Sequence, residues 1–269
     1  MNNLQGWMVA KQEHSDYLES ILAFLLPEYE RIFGAEVMNA APCVIYNEPA
    51  SECPMFCHTT PLKIRLSLES FQYWAQIIYQ LSHEMCHFAI HQKKQDKTRT
   101  LSWFEEIVCE AMSMYALHYA AENWNACKLS LLNPNFAHAI KEYLDNILEK
   151  PGSDGFKQCT TIEKLRDYEN QEKPENHRET HIRERNQIYA AILNNPKEAV
   201  CFLDYGRYVS DIDLVTIDFN TWVQNDPRGM VLQLFSVYPI GNEVSTETES
   251  ITLQDYTKIL WKNLTEVNL

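Results

Sequence analysis

The sequence predicts an α+β protein: a small sheet in the N-terminal third, two long helices after it, and a mainly helical second lobe. Three observations carry this. Leu62-Lys63-Ile64-Arg65-Leu66-Ser67-Leu68 alternates apolar and polar residues, as a half-buried strand does. Residues 69–91 and 103–123 instead repeat apolar residues at steps of three and four, the period of helices with one face in a core. Lys150-Pro151-Gly152-Ser153-Asp154-Gly155 is the clearest break in the chain. It separates residues 1–150 from residues 151–269, where helical patterning predominates.

In chain order, residues 14–33 place Tyr17, Ile21, Leu22 and Leu25 at helical spacing, with Pro27 as a point of kinking and Gly34 as a stop. Cys43-Val44-Ile45-Tyr46 reads as a short strand ended by Asn47 and Pro49. Residues 47–61, with three prolines, read as a loop. The helix over 69–91 carries Phe71, Trp74, Ile78, Leu81, Met85 and Phe88 as one apolar stripe, with His83 and His87 nearly opposite, beside Gln76 and Gln80. Such a helix buries one face and turns its histidines toward a cleft. Residues 92–101 read as a solvated loop and 103–123 as a well-buried helix. Further helices are expected at 136–149, 182–194 and 253–265, strands at 212–217 and 230–238, and a solvated, charged segment at 162–182.

Composition narrows the function classes. The formal net charge is −14, from 37 acidic and 23 basic residues. That repels phosphate backbones, so no nucleic-acid partner is expected. The first ten residues lack the pattern of a secretory signal, and no apolar run reaches the length of a membrane span. Eight cysteines in such a chain suit a reducing compartment, so a cytoplasmic setting without membrane association is expected. Cys53 and Cys57 have the spacing of half a metal knuckle, but no second cysteine pair completes it.

The chemistry concentrates in His83-Glu84-Met85-Cys86-His87. On a helix, histidines four apart lie on one face and can share a Zn²⁺, with the intervening glutamate as general base. A hydrolytic zinc usually takes a third protein ligand and leaves one position for water. Ser102-Trp103-Phe104-Glu105-Glu106-Ile107-Val108-Cys109-Glu110 offers three glutamates. Ser102 and Glu105 have the form of a capping box, which gives Glu105 a structural task. Glu106 and Glu110 share a face, and motif spacing favours Glu106. Cys86 and Cys109 read as small buried residues, and His91 as a solvated helix end.

His83-Glu84-x-x-His87, eighteen residues, then Trp103-Phe104-Glu105-Glu106-x-x-Cys109-Glu110, resembles the gluzincin metallopeptidases. The resemblance spans roughly residues 60–120. It implies a zincin-like fold: a small mixed sheet, an active-site helix, and a site between two lobes. Residues 1–150 would then form the catalytic region, and 151–269 the other wall of the cleft. It also implies one Zn²⁺ per chain held by His83, His87 and Glu106, a strand over 62–68 at the sheet edge able to pair with an extended substrate, and an oxyanion donor from the downstream lobe. Tyr168, His177, His181, Tyr189 and Tyr205 are available for that last part. The chain has no Gly-x-Met-Glu-Asn stretch, with which the aminopeptidase branch holds a substrate amino terminus, so the expected activity is endopeptidase. A second register, similar to small intracellular peptidases that cleave bacterial regulators, makes Glu110 the ligand.

The function this predicts is zinc-dependent hydrolysis of peptide bonds in a protein or peptide substrate, with Glu84 as general base. The alternative is a zinc-binding regulatory or interaction module with little turnover, which would have no need of Glu84.

Overall fold

The strands form a four-stranded mixed sheet in the order β1-β2-β4-β3. They are β1 (Trp7–Val9), β2 (Cys43–Asn47), β3 (Met55–Cys57) and β4 (Leu62–Leu66). The computed structural model describes residue 4 and residues 6–93, 100–170 and 178–240. β1 and β4 both run parallel to β2, and β3 runs antiparallel to β4. Ile45 lies opposite Ile64, which lies opposite Phe56. All three are buried, so one face of the sheet meets the core.

Two sequence expectations change here. The strand over 62–68 is not at the edge, because β4 lies between β2 and β3. The edges are β1 and β3, and β3 lies inside the stretch read as a loop. Three residues are too few to show alternation, and the surrounding prolines mask them.

α1 (Ser15–Phe33) runs through Pro27 and stops at Gly34, whose φ of 96° suits glycine and whose N–H donates to the Glu30 carbonyl. A short α2 (Ala35–Met38) follows. α3 (Trp74–Lys93) begins later than its apolar pattern suggests. Residues 70–73 are drawn into a turn, with the Tyr73 N–H donating to the Ser70 carbonyl. Phe71 still packs in the core. Gln80 ties α3 to the end of β4: its amide accepts from the Ser67 N–H and donates to the Ser67 carbonyl, both at 2.9 Å. From the other side, the Tyr29 hydroxyl of α1 donates to the Ser82 carbonyl at 2.8 Å. The motif turn of α3 is thus anchored to the sheet and to α1.

α4 (Ser102–Asn123) packs along α3, and α5 (Phe136–Leu148) packs on α4. Ser102 is not the N-cap of α4; Leu101 is, with no side-chain capping bond. The N-terminal N–H groups of Ser102 and Trp103 donate instead to the two carboxylate oxygens of Glu169, at 2.8 and 3.0 Å. Glu169 ends α6 (Ile162–Glu169), which buries Leu165 and Tyr168. The segment from 162 is therefore partly folded into the core rather than solvated.

α7 (Ile182–Asn194) packs on α4, and the 3₁₀ segment Pro196–Arg207 packs on α1 and α3. α8 (Phe219–Asn225) and α9 (Gly229–Val237) close the described chain. Both strand expectations in this half fail. Residues 230–237 lie in α9, because Met230, Val231 and Leu234 have helical spacing and all are buried, and Tyr238 follows as its extended cap. A short apolar run fits a buried helix as well as a strand. Residues 212–217 form a turn, in which Asp213 accepts from the N–H groups of Val215 and Thr216, and only a single bridge joins Val209 to Ile217. The helix expected over 253–265 lies outside the described residues. One hydrophobic core runs from Trp7 through Tyr238, across residue 150. Among the described residues no helix is long and apolar enough to cross a membrane.

Candidate metal centre

α3 and α4 lie side by side, and their facing turns bring His83, His87 and Glu106 together. The Nε2 atoms of His83 and His87 are 3.1 Å apart. Glu106 Oε2 lies 3.5 Å from His83 Nε2, and Glu106 Oε1 lies 3.5 Å from His87 Nε2. Tetrahedral zinc with bonds of about 2.0–2.1 Å sets its donors about 3.3 Å apart. The three separations bracket that value, and two imidazoles with a carboxylate are a donor set zinc accepts. The residues present therefore fit the ion. Among the described residues no other group of three histidine, cysteine, aspartate or glutamate side chains converges in this way.

The electrostatics follow from this proximity. Burial would raise the Glu106 carboxyl, but hydrogen bonding and charge from His83 and His87 hold it well below the usual carboxylate range. Burial would lower His87, and Glu105 and Glu106 together raise it well above the usual imidazole value.

Glu84 is buried and lines the same cavity as His83, His87 and Glu106. The cavity measures about 320 Å³. Met55 and Phe56 of the edge strand form part of its wall, as does His58 just beyond β3. The His58 ring stacks on His91 with centroids 5.3 Å apart, and His91 also lines the cavity. His91 is thus at the site and not simply a solvated helix end, and His58 is a site residue that sequence reasoning missed. Only the edge position of β3 places it there, and nothing in the local sequence marks that position.

The three candidate glutamates, all in the first half of α4, separate cleanly. Glu106 joins the histidines. Glu110 is fully buried on another side, where its Oε2 lies 3.2 Å from Arg185 Nη1 and 3.5 Å from His181 Nε2, both on the α7 side. Glu105 does not complete a capping box. Its Oε2 lies 3.1 Å from His87 Nδ1, and its Oε1 accepts from the Tyr205 hydroxyl. A carboxylate on the far nitrogen of a ligating histidine fixes its ring and tautomer.

Of the residues expected to offer an oxyanion donor, His177 lies outside the described residues. Tyr168 bonds Thr180 and His181, and Tyr205 bonds Glu105. None of Tyr168, His181, Tyr189 or Tyr205 lines the cavity. Cys86 and Cys109 are fully buried. Comparison of the chain with protein-family models, with curated proteins and with solved structures returned no match.

Proposed function

We propose that the protein is a zinc-dependent metallopeptidase with a gluzincin-like, zincin-type fold, acting as an endopeptidase on a protein or peptide substrate. The observation that carries the reading is the convergence of His83, His87 and Glu106, with donor separations suited to zinc, in a cavity that also holds Glu84. Ligands without a base would suit a structural ion, but a buried glutamate in the same cavity suits turnover.

His83, His87 and Glu106 would hold the ion. Zinc supplies Lewis acidity toward the scissile carbonyl and makes its water acidic near neutral pH. Glu84 takes the proton from the attacking water, holds it, and delivers it to the leaving amine. Burial of Glu84 excludes bulk water that would compete for that proton. Among the described residues no strand pairs with the outer side of β3, an edge along the cavity wall suited to an extended peptide. His58 and His91 are the further imidazoles that line the cavity. A cytoplasmic setting fits the cysteine content.

The test is zinc content and peptide hydrolysis measured together. Purified protein should carry about one zinc per chain. Glu84→Gln should keep the zinc and lose hydrolysis by at least about a hundredfold. Protein that takes up no zinc after reconstitution would remove the reading. Zinc uptake with no Glu84-dependent hydrolysis of a peptide library would leave a binding module instead.

A further inference from the structure

The first turn of α4 is held from a part of the chain a hundred residues away. The segment Pro196–Arg207 carries Tyr205 to a buried position behind Glu105, where its ring stacks on Phe104 with centroids 4.5 Å apart. The Tyr205 hydroxyl accepts the Leu101 N–H at 3.1 Å and bonds Glu105 Oε1. An amide N–H can only donate, so the one hydroxyl proton is directed at the carboxylate. Glu105 Oε2 lies 3.1 Å from His87 Nδ1, so a carboxylate oxygen meets the ring nitrogen that faces away from His83 and Glu106. One chain of bonds thus runs from the Leu101 N–H through Tyr205 and Glu105 to His87. His87 Nε2 faces His83 and Glu106, the edge a metal would take.

We propose that Tyr205 is a positioning residue of the metal centre: it fixes Glu105, and through Glu105 the tautomer and plane of His87. The C-terminal half of the molecule then contributes to metal affinity without supplying a ligand. This inference rests on the zinc reading above.

Zinc affinity is measured by competition with a chromophoric chelator on the full chain, with the Co²⁺ absorption spectrum as a second readout. Wild-type protein that binds neither ion would end the zinc reading itself, which separates that failure from a failure of this inference. Given wild-type binding, Tyr205→Phe keeps the ring on Phe104 and removes the hydroxyl. It should weaken zinc about tenfold and alter the Co²⁺ bands, as loss of an outer partner of a ligating histidine does. Glu105→Gln should weaken zinc to a similar degree. The double variant should be no weaker than the weaker single, since both act through one chain of bonds. A purely structural Tyr205 would lower the melting temperature in chelator but leave zinc affinity and the Co²⁺ spectrum as in wild type, and that result overturns the inference. Losses that multiply in the double variant also overturn it. Should Tyr205→Phe fail to fold, Glu105→Gln decides alone: wild-type zinc affinity refutes the relay, and an approximately tenfold loss supports it.

Discussion

Glu105 and Glu106 are neighbours in sequence, but a helix turns successive side chains by about 100°. That rotation is enough to give one the metal-facing edge of His87 and the other its far nitrogen. Glu110 lies one turn beyond Glu106 and would face the same way, were it not drawn to Arg185 and His181. The two carboxylates should therefore respond differently to removal. Glu106→Ala is expected to lose stoichiometric zinc while retaining most of its stability in chelator. Glu110→Ala is expected to keep zinc but lose about 3–5 kcal/mol of stability, since it leaves a buried guanidinium without its carboxylate. Elemental analysis and urea unfolding of both variants check this. Zinc lost chiefly in Glu110→Ala would move the third ligand to the register in which Glu110 binds the ion.

At the level of elements, the site depends on where α4 starts, and that is set by Glu169 from α6. A carboxylate accepting from two free N–H groups at a helix N-terminus also meets the positive end of the helix dipole. Glu169→Ala should cost about 1 kcal/mol and speed amide hydrogen exchange chiefly in the first turn of α4. Exchange unchanged there would show that the turn is held by Tyr205 on the Leu101 N–H and by the Trp103 indole N–H on the Val215 carbonyl. The same contact explains where sequence reading stopped. The convergence of His83, His87 and Glu106 is legible because their spacing is local to two helices with strong periodicity. The capping of α4 was misread because Ser102-x-x-Glu105 has the right letters, while the acceptor used lies more than sixty residues away in Glu169. β3 was hidden because three residues between prolines carry no period, although they make the wall of the site. α9 was mistaken for a strand because its apolar run is short enough to suit either period. In each case the missing information was which distant segment supplies the partner.

For the whole molecule, the cluster links folding, metal and pH, and the sign can be worked out. In chelator, His87 has its pKa raised in the folded state by Glu105 and Glu106 against the opposing effect of burial. A raised imidazole pKa means the folded state binds the proton more tightly. Its contribution to stability is fully present below the unfolded value of about 6.5 and is lost as pH rises through the folded value. In chelator, the stability advantage of wild type over His87→Gln should thus be largest below about pH 6.5 and shrink as pH rises through the raised folded-state value. Zinc reverses the slope. The ion competes with the proton for His87 Nε2, so its uptake releases protons and its affinity rises with pH. Because a ligand stabilises in proportion to the logarithm of its concentration over Kd, the zinc-induced rise in Tm should grow over the same range at fixed free zinc. Calorimetry of wild type and His87→Gln, with chelator and with buffered zinc, gives both slopes from one set of samples. A zinc-induced rise in Tm that is flat with pH would mean that no proton leaves on binding, and would place the ion away from the two imidazoles. Opposite slopes in chelator and in zinc would tie the stabilising proton and the metal to the same nitrogen.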